Sequence, residues 1–301
     1  MDLEQKSIER IKMASEMSLQ HYGKPLVCTY SGGKDSAVML ELFKRAGIPF
    51  EAHNSHTTAD APQTVRNIRD TFYELELQGI KCEIDYHVQA DGSHMTMWNL
   101  IPIKLMPPSR LSRYCCSGLK EGGCANRMIA TGVRWDESKN RQDRTHFEAL
   151  GATKASKIRV TEEKMLLTDN EDTRRLFEKC ELKAKTVVNP IIDWKDADIW
   201  DYYKYECERH NQLYEMGFYR VGCIGCPMAS SKERWREFGI FPSYQQAYIR
   251  AFERMLTDRK QKGKETAWKS GEEVFKWWME DKNTEGQYSF DFDGNIAEDY
   301  T

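Results

Sequence analysis

Residues 25–36, PLVCTYSGGKDS, constrain the fold of this 301-residue chain more than any other stretch. Residues 25–30 are a short apolar run that predicts a buried strand, and the glycines that follow predict a sharp turn. A helical pattern begins near Ser36 and ends at Gly47, where glycine is typical of a helix C-terminus. A strand, a glycine turn and a helix in immediate succession indicate the first unit of a parallel α/β sheet.

Strands and helices continue to alternate along the chain. Further strands are predicted at residues 48–56, 80–88, 128–134 and 185–193, and helices at residues 3–21, 37–47 and 61–79. This alternation predicts an α/β fold with a doubly wound parallel sheet of about five strands, which binds ligands at the carboxyl ends of its strands. Residues 136–185 are densely charged and weakly periodic, so we interpret them as a mobile or partly helical excursion. After Asp193 the pattern becomes helical and aromatic, which predicts a helical C-terminal region.

These patterns divide the chain into three parts. We predict an N-terminal helix at residues 1–24, an α/β domain at residues 25–204 that includes the excursion, and a cysteine-containing, mainly helical region at residues 205–301. In the last part, Tyr248 and Met255 fall on one helical face. We interpret such aromatic faces as core and not as a platform for stacking bases.

Composition excludes several classes of protein. The chain is 40% hydrophobic and 30% charged, no apolar run approaches the length needed to cross a membrane, and the charged N-terminus lacks the apolar stretch of a signal peptide. We therefore expect a cytoplasmic protein with no membrane partner. A formal net charge of −3 argues against strong non-specific binding to nucleic acid, which requires a basic surplus.

The glycine loop after the first strand has the chemistry of a phosphate-binding site. Gly32 and Gly33 allow backbone N–H groups to approach a ligand closely, and the helix N-terminus that follows favours an anion. Lys34 adds a point charge, and Ser31 and Ser36 add hydroxyl donors. The loop is therefore predicted to hold a phosphate group.

Polar residues also follow two other predicted strands. Thr58 and Asp60 come after the second strand, where they either face the same crevice or cap the next helix. Arg134 and Arg141 come at and after the end of the fourth strand. Two arginines near a phosphate-binding loop indicate contacts to phosphate or sulfate, with surface salt bridges as the alternative.

The cysteines fall into two tight pairs and several single residues. Cys115 and Cys116 are adjacent, and Cys223 and Cys226 form a C-x-x-C pair 107 residues after Cys116. Four such thiols in a chain without a secretion signal favour a metal site, either zinc or an iron–sulfur cluster. Neighbouring cysteines are unusual for zinc, whereas a four-iron cluster presents irons at separate corners, so the residues favour the cluster. Cys124 is left as an additional thiol.

The loop sequence SGGKDS resembles the PP-loop of ATP pyrophosphatases. In that superfamily the loop grips the pyrophosphate of ATP while a nucleophile attacks the α-phosphate, and magnesium bridges the phosphates. The resemblance implies ATP and Mg²⁺ as cofactors, with Ser31, Gly32, Gly33 and Ser36 on the pyrophosphate. It also implies that Asp35 is the carboxylate near the magnesium and that Lys34 neutralises developing charge.

A wider resemblance covers about residues 25–230. The segments SGGKDS, YCCSGLK, TGVRWDES, NPIIDWKDADIWDYY and LYEMGFYRVGCIGCP occur in the order seen in the phosphoadenosine phosphosulfate (PAPS) and adenosine phosphosulfate (APS) reductase family. That family, whose fold is adenine nucleotide alpha-hydrolase-like, includes the DndC-like sulfur-transfer proteins of DNA phosphorothioation. The resemblance implies that Cys115, Cys116, Cys223 and Cys226 hold a [4Fe–4S] cluster, with Zn²⁺ as the less expected metal.

Two departures from the reductases shape the predicted function. No cysteine follows Cys226, so the nucleophilic cysteine of the reductases' C-terminal tail is absent, and the glycine loop is intact where reductases have an eroded one. We therefore predict a DndC-like ATP pyrophosphatase that adenylylates an acceptor for cluster-assisted sulfur transfer. Lys34, Asp35 and Arg134 are its predicted catalytic residues, and Arg134 and Arg141 would steady the nucleotide or the acceptor.

Two alternatives remain. The first is a PAPS or APS reductase that makes sulfite with a thiol donor, either Cys124 or a partner's thiol. The second is a non-catalytic subunit that binds nucleotide and cluster within a larger complex. The resemblance implies a sulfur donor such as a cysteine desulfurase, and DNA-handling subunits, as partners.

Overall fold

The computed structural model describes residues 2–280, apart from residues 90, 122, 138–140, 143, 151–156, 161–184 and 265. Two compact units are present, and each is assembled from separate stretches of chain. The first unit takes residues up to 56, residues 62–86 and residues 122–221, and the second takes residues 57–61, 87–121 and those from 222 onward. Much of the predicted excursion and the end of the predicted C-terminal region, from residue 281, lie outside the described residues.

The first unit is built on a seven-stranded sheet. Its strands are β1 (Leu26–Thr29), β2 (Phe50–Ser55), β3 (Cys82–Asp85), β4 (Met128–Ala130), β5 (Phe147–Leu150), β6 (Lys157–Val160) and β7 (Lys185–Val188). They lie in the order β3-β2-β1-β4-β7-β5-β6. The first five strands in that order are parallel neighbours, whereas β5 pairs antiparallel with both β7 and β6. The predicted α/β fold with a parallel sheet of about five strands is confirmed, and two antiparallel strands extend it.

These two added strands correct the interpretation of residues 136–185. That segment was expected to be mobile or partly helical, but β5 and β6 form an antiparallel pair within it. Residues 157–160, KIRV, alternate charged and apolar side chains, which is the period of a strand. The alternation was missed because it is only four residues long and lies in a highly charged stretch.

Ten α-helices are described, numbered here in chain order. They are α1 (Leu3–Tyr22), α2 (Lys34–Ala46), α3 (Pro62–Leu77), α4 (Met97–Lys104), α5 (Tyr114–Leu119), α6 (Asp196–Glu206), α7 (Gln212–Glu215), α8 (Ser231–Ile240), α9 (Pro242–Gln261) and α10 (Gly271–Met279). The predicted helix in residues 37–47 begins three residues earlier than expected and ends, as predicted, at Gly47 in the left-handed conformation. None of the helices among the described residues is both long and apolar enough to cross a membrane.

The two faces of the sheet pack against different sets of side chains. Alternate residues such as Leu26, Cys28 and Ala52 face a large apolar core that also contains side chains of α1, α2, α3 and α6. On the opposite face, Val27, Ile129 and Val187 form a small apolar cluster against which Cys124 packs. Glu51 and His53 lie on that second face too, because they alternate with the core-facing residues of β2.

The second unit is mainly helical, as predicted for the C-terminal region. Its α9 packs against α4, α8 and α10, and an aromatic cluster of Phe238, Tyr248, Phe252 and Trp278 fills the space between them. Tyr248 and Met255 are buried. The interpretation of these aromatic residues as core is confirmed.

A buried ion pair ties α1 to the segment after β7. Arg10 donates to both carboxylate oxygens of Asp193, at 2.7 and 3.0 Å, and also to the carbonyl of Pro190 at 2.9 Å. Burial alone raises the pKa of Asp193, but the hydrogen bonds and charge of Arg10 outweigh it and hold that pKa below its usual value. Removing one partner of such a pair leaves the other charged group buried and uncompensated.

Replacing Asp193 with asparagine is therefore expected to lower the free energy of unfolding by about 3 kcal/mol. The pKa of Asp193 is lower in the folded protein than in the unfolded chain. The ion pair therefore stabilises the wild type fully at pH values above the unfolded pKa, and this stabilisation is lost as the pH falls through the folded pKa. Urea denaturation at neutral and acidic pH measures both effects. The matched control is Glu208→Gln, which removes an ion pair to Lys44 from a side chain that is 79% exposed. The control should cost about 0.5 kcal/mol or less, and equal losses from the two variants would contradict the expectation.

Candidate functional site

The glycine loop connects β1 to α2 through a turn that needs glycine at one position. Gly32 has φ of +74°, and a Cβ there would lie 3.1 Å from side-chain atoms of both Ile68 and Thr64 on α3. Gly33 has an ordinary φ of −91° and precedes the first residue of α2. Since α2 begins at Lys34, the lysine, Asp35 and Ser36 form the first helical turn, where the helix dipole favours an anion.

Residues far along the chain hold this loop in place. Asn211 donates from its side chain to the carbonyl of Gly32 at 2.9 Å and to the hydroxyl of Thr64 at 3.1 Å. The hydroxyl of Tyr214 accepts from the backbone N–H of Lys34 at 2.8 Å. Neither Asn211 nor Tyr214 was singled out from the sequence, although Tyr214 lies within the segment LYEMGFYRVG that carries the family resemblance and Asn211 lies two residues before it.

Two cations and two carboxylates form a network beside the loop. Lys34 Nζ lies 3.2 Å from Asp35 Oδ2 and 3.1 Å from Asp196 Oδ1. Arg134 Nε lies 2.5 Å from Asp35 Oδ1, and its Nη2 lies 3.0 Å from Asp196 Oδ1. The lysine side chain is 8% exposed and the arginine side chain 3%. The structure thus brings together the predicted Lys34, Asp35 and Arg134 and adds Asp196, which sequence reasoning missed.

Asp196 remains ionised because of its neighbours. Burial raises its pKa, but a hydrogen bond from Tyr219 and the charges of Lys34 and Arg134 outweigh burial and lower the pKa below its usual value. The same hydrogen bond raises the pKa of Tyr219. Asp196 is the first residue of α6, in the segment DWKDADIW, so its place just after β7 was the available signal.

Aromatic rings line the same network. Lys34 Nζ lies 5.4 Å from the ring centroid of Trp200 and 5.9 Å from that of Tyr219, within the range of a cation–π interaction. Trp200 in turn contacts Tyr214 edge-on at 5.0 Å. The loop therefore has buried positive charge and aromatic surface next to each other.

Arg141 is placed apart from that network. Its guanidinium pairs with the carboxylate of Glu137, and the same glutamate accepts from the backbone N–H of Arg134 at 3.2 Å. This is the arrangement described by the salt-bridge alternative for Arg141.

The four predicted metal-binding cysteines all belong to the second unit. Cys115 and Cys116 lie in α5, and Cys223 and Cys226 lie in one tight turn, in which the N–H of Cys226 donates to the carbonyl of Cys223 at 3.2 Å. All four are free thiols. The turn is anchored by the hydroxyl of Tyr248, which donates to the carbonyl of Ile224 at 2.9 Å.

The four thiols and the cations near them influence one another's pKa values. The pKa of Cys115 is raised by its hydrogen bond with Cys116, by burial and by the charges of Cys223 and Cys226. Cys116 shows the opposite shift, because Cys115 and Arg113 stabilise its thiolate and lower its pKa. Lys120 is a nearby cation whose pKa is raised, chiefly by Cys223. One thiolate with cations beside it is a suitable starting point for metal binding.

A second group of potential ligands lies outside the four cysteines. Among the described residues, the donor atoms of His53, Asp85 and Cys124 all lie within 4.8 Å of one another. The choice between zinc and a cluster for the four cysteines stays a prediction from the sequence.

Thr58 and Asp60 also belong to the second unit, where they support the cysteine turn. Asp60 Oδ2 accepts from the N–H and the hydroxyl of Thr57 at 3.2 and 2.7 Å, and its Oδ1 lies 3.8 Å from Cys223 Sγ. Thr58 accepts from the N–H of Met97 at 2.9 Å. These contacts connect Asp60 to a predicted metal ligand and Thr58 to the first residue of α4, and the two roles that the sequence left open stay predictions.

Cys124 lies on the second face of the sheet in the first unit, where histidine and acidic side chains surround it. Cys124 Sγ is 3.4 Å from His53 Nδ1, and His53 Nε2 is 3.0 Å from Glu51 Oε2. Burial alone raises the pKa of Glu51, but its hydrogen bonds with His53 and the charge of Arg127 lower it below the usual value. Sequence reasoning singled out Cys124 alone, because Glu51 and His53 lie on β2, about 70 residues earlier in the chain, and share no motif with it.

Comparison with known proteins decides the family. The model of the phosphoadenosine phosphosulfate reductase domain matches residues 25–229. This chain belongs to that family. The match begins at the first residue of the predicted α/β domain and ends three residues after Cys226, so it includes the glycine loop and all four clustered cysteines.

Relatives within and around the PAPS reductase family are distant. The uncharacterized protein MJ0066 of Methanocaldococcus jannaschii is 26% identical over 71% of this chain and 39% of its own length. The adenosine 5′-phosphosulfate reductase of Staphylococcus haemolyticus is 24% identical over 74% of this chain and 81% of its own. The crystal structure of PAPS reductase from Candida auris aligns with 72% of this chain and with 88% of its own chain. The sequence identity is 16% and the TM-score is 0.44. This chain spans less than two fifths of the length of the first curated relatives it matches.

Proposed function

We propose that this member of the PAPS reductase family is an ATP pyrophosphatase. It cleaves ATP to AMP and pyrophosphate, adenylylates an acceptor and supports transfer of sulfur onto that acceptor with a [4Fe–4S] cluster. The observation that carries the proposal is the intact glycine loop with the buried Lys34 and Arg134 beside it. A pyrophosphate group could pair with these two cations, which Asp35 and Asp196 now balance, whereas a reductase substrate has no pyrophosphate to hold.

The loop and the two cations have separate tasks in this reaction. Gly33 and the first turn of α2 would bind the pyrophosphate through backbone N–H groups, and the hydroxyls of Ser31 and Ser36 would add donors. Lys34 and Arg134 would stabilise the charge that develops as the bond between the α-phosphorus and the bridging oxygen breaks. The acceptor oxygen forms the new bond to the α-phosphorus, and pyrophosphate leaves.

Asp35 and Asp196 hold the cations before the nucleotide arrives. Their carboxylates contact the same nitrogen atoms that the phosphates would contact, so binding exchanges one set of anionic oxygens for another. The two carboxylates also provide the hard oxygen donors that Mg²⁺ prefers, and they are the residues that would hold it. Bound magnesium would neutralise phosphate charge.

The second unit would supply the sulfur-handling part of the reaction. Cys115, Cys116, Cys223 and Cys226 would hold the [4Fe–4S] cluster, whose chemistry when bound is to coordinate and activate a sulfur ligand. Arg113 donates to Cys116 Sγ at 3.5 Å, and Lys120 places positive charge near the same thiols. These cations offset the negative charge that the four thiolates bring.

The direct test is product analysis with the full chain purified without oxygen. ATP, Mg²⁺, hydrosulfide and a candidate acceptor such as duplex DNA are expected to yield AMP and pyrophosphate in equal amounts. A cysteine desulfurase with cysteine replaces hydrosulfide in a parallel reaction, which tests the proposed sulfur donor. Adenylylation of the acceptor without sulfur would separate the first half of the reaction from the second. No pyrophosphate under any of these conditions would contradict the proposal.

The reductase alternative is favoured by one specific observation, the thiol of Cys124 beside His53. It predicts that APS or PAPS with a thiol donor such as thioredoxin yields sulfite and that ATP yields no pyrophosphate. The same preparation, assayed for sulfite and for pyrophosphate, decides between the two functions. ATP binding without either product, even with partners present, would instead support the non-catalytic subunit.

The two loop glycines offer a matched pair of variants. A Cβ on Gly33 would meet only ordinary contacts, at 3.6 Å or more, so Gly33→Ala is expected to keep the stability of the wild type. It should nevertheless weaken ATP binding by about tenfold or more, because the added methyl group would keep the pyrophosphate from approaching the loop N–H groups, and a hydrogen bond to a charged group contributes about 1.5–3 kcal/mol. Gly32→Ala, strained by its positive φ, is expected to lose stability as well. Calorimetric titration with ATP and thermal melting measure the two quantities, and undiminished affinity in Gly33→Ala would contradict this assignment.

A further inference from the structure

We propose that His53, Asp85 and Cys124 hold a single zinc ion on the second face of the sheet. This site is separate from the four-cysteine set, because its residues belong to the first unit and the four cysteines to the second. It goes beyond the proposed function, which makes no use of His53 or Asp85.

The three donor atoms lie close enough together to reach one metal ion. One nitrogen, one carboxylate oxygen and one sulfur all lie within 4.8 Å of one another. The distance from Cys124 Sγ to His53 Nδ1 is 3.4 Å. Zinc bonds of about 2.0 Å to nitrogen and about 2.3 Å to sulfur, at a tetrahedral angle, place those two atoms about 3.5 Å apart.

A carboxylate behind the histidine orients it for this role. Glu51 accepts from His53 Nε2 at 3.0 Å, which directs the lone pair of Nδ1 toward Cys124. Glu51 is itself held by Arg127 at 3.1 Å and by Lys81 at 3.3 Å. A carboxylate on the outer nitrogen of a metal-binding histidine is the usual support for such a ligand, because it sets the tautomer and the ring orientation.

The backbone brings Cys124 to this position across the face of the sheet. A side chain at Gly123 would overlap the carboxylate of Asp85, so glycine leaves that carboxylate in its position beside the chain. Cys124 then adopts φ of +58°, which is unfavourable for a residue other than glycine. Three residues after Cys124, Arg127 anchors the chain by donating to the carbonyl of Pro25, just before β1, at 2.9 Å.

The chemical types of the three ligand atoms and their charge indicate which metal would bind. Sulfur and imidazole ligands suit zinc, whereas Mg²⁺ and Ca²⁺ prefer oxygen alone. A thiolate and a carboxylate together balance the two positive charges of the ion, which matters beside the buried His53. Three protein ligands leave a fourth position open, as in zinc sites that bind water or a substrate atom.

X-ray absorption at the zinc K-edge, on the full chain purified without oxygen from zinc-containing medium, tests the site. The expected result is about one zinc per chain with one sulfur and otherwise nitrogen or oxygen ligands. Iron in a cluster does not contribute at this edge, and zinc bound by the four cysteines would show four sulfur ligands. A zinc content near zero, or a spectrum with four sulfur ligands, would overturn the proposal.

Variants then assign the ion to these residues. Cys124→Ser is expected to remove the zinc–sulfur signal, and Asp85→Asn is expected to lower the zinc content. The control is Cys82→Ser, which replaces a half-buried thiol on β3 and should change neither quantity. Glu51→Gln should weaken zinc affinity by about 10–100-fold, and Glu83→Gln, whose more exposed side chain lies 3.9 Å from His53, should have no such effect. Cys223→Ser should leave zinc unchanged. Zinc retained with its sulfur ligand in Cys124→Ser would overturn the assignment, whatever the outcome of the ATP assay.

Discussion

Replacing Lys34 with methionine is expected to slow pyrophosphate formation from ATP by about 10²–10³-fold. The ammonium group is buried between Asp35 and Asp196, so little water is present to screen it from a phosphate that takes their place. A charge that is already fixed in a dry site stabilises a developing anion without any cost of reorganisation. Methionine keeps most of the length and apolar surface of the lysine but supplies no charge.

The matched control for this variant is Lys44→Met on the same helix. Lys44 is more exposed and pairs with Glu41 and Glu208, so its loss should leave the rate of pyrophosphate formation unchanged. Arg134 still contacts both Asp35 and Asp196 in the Lys34 variant, which should therefore fold, and thermal melting verifies this. Steady-state pyrophosphate release is the readout. A folded Lys34 variant with the rate of the wild type would exclude this lysine from the reaction.

The second large effect is expected from Cys223→Ser, which should reduce bound iron from about four atoms per chain to less than one. The serine hydroxyl is a poor ligand for iron, and Cys223 is buried in its turn. Gly225, two residues later, has φ of +72°, and a Cβ there would lie 2.5 Å from Phe238 Cζ. The turn therefore cannot rearrange freely to offer a different ligand.

Iron and acid-labile sulfide analysis, together with the visible absorption spectrum, measure this loss. Cys207→Ser is the matched control, because Cys207 is another buried thiol but lies in the first unit and contacts none of the four cysteines. It should keep the full content of iron and sulfide. A colourless wild-type protein with about one zinc bound by four sulfurs would contradict the cluster assignment.

The parts of this protein that could be predicted from sequence are those encoded by neighbouring residues. The apolar run of β1, the turn at Gly32 and Gly33 and the start of α2 lie within a dozen residues, so each part constrains the next. The cysteine pairs were recognisable because each pair is itself local. The parallel strands were predicted for the same reason.

The residues that were missed act over long distances in sequence. Asp196 pairs with Lys34, and Asn211 supports Gly32, across more than 160 residues, and no spacing rule connects such positions. His53, Asp85 and Cys124 come from two strands and a loop, so only the register of the sheet brings their donor atoms together. Strand β6 was hidden because it lies at the edge of the sheet, where a strand tolerates charged side chains, and these weaken the apolar signal.

The interleaved path of the chain has a consequence for how the protein is made. The chain passes from one unit to the other five times, after residues 56, 61, 86, 121 and 221. When Cys115 and Cys116 leave the ribosome, more than a hundred residues must still be synthesised before Cys223 can join them. If the four cysteines hold the proposed cluster, iron could enter the complete site only late in translation or after release. A chain shortened before residue 223 would retain the whole glycine loop but only two of the four cysteines, so the proposed nucleotide site would be complete before the proposed cluster site.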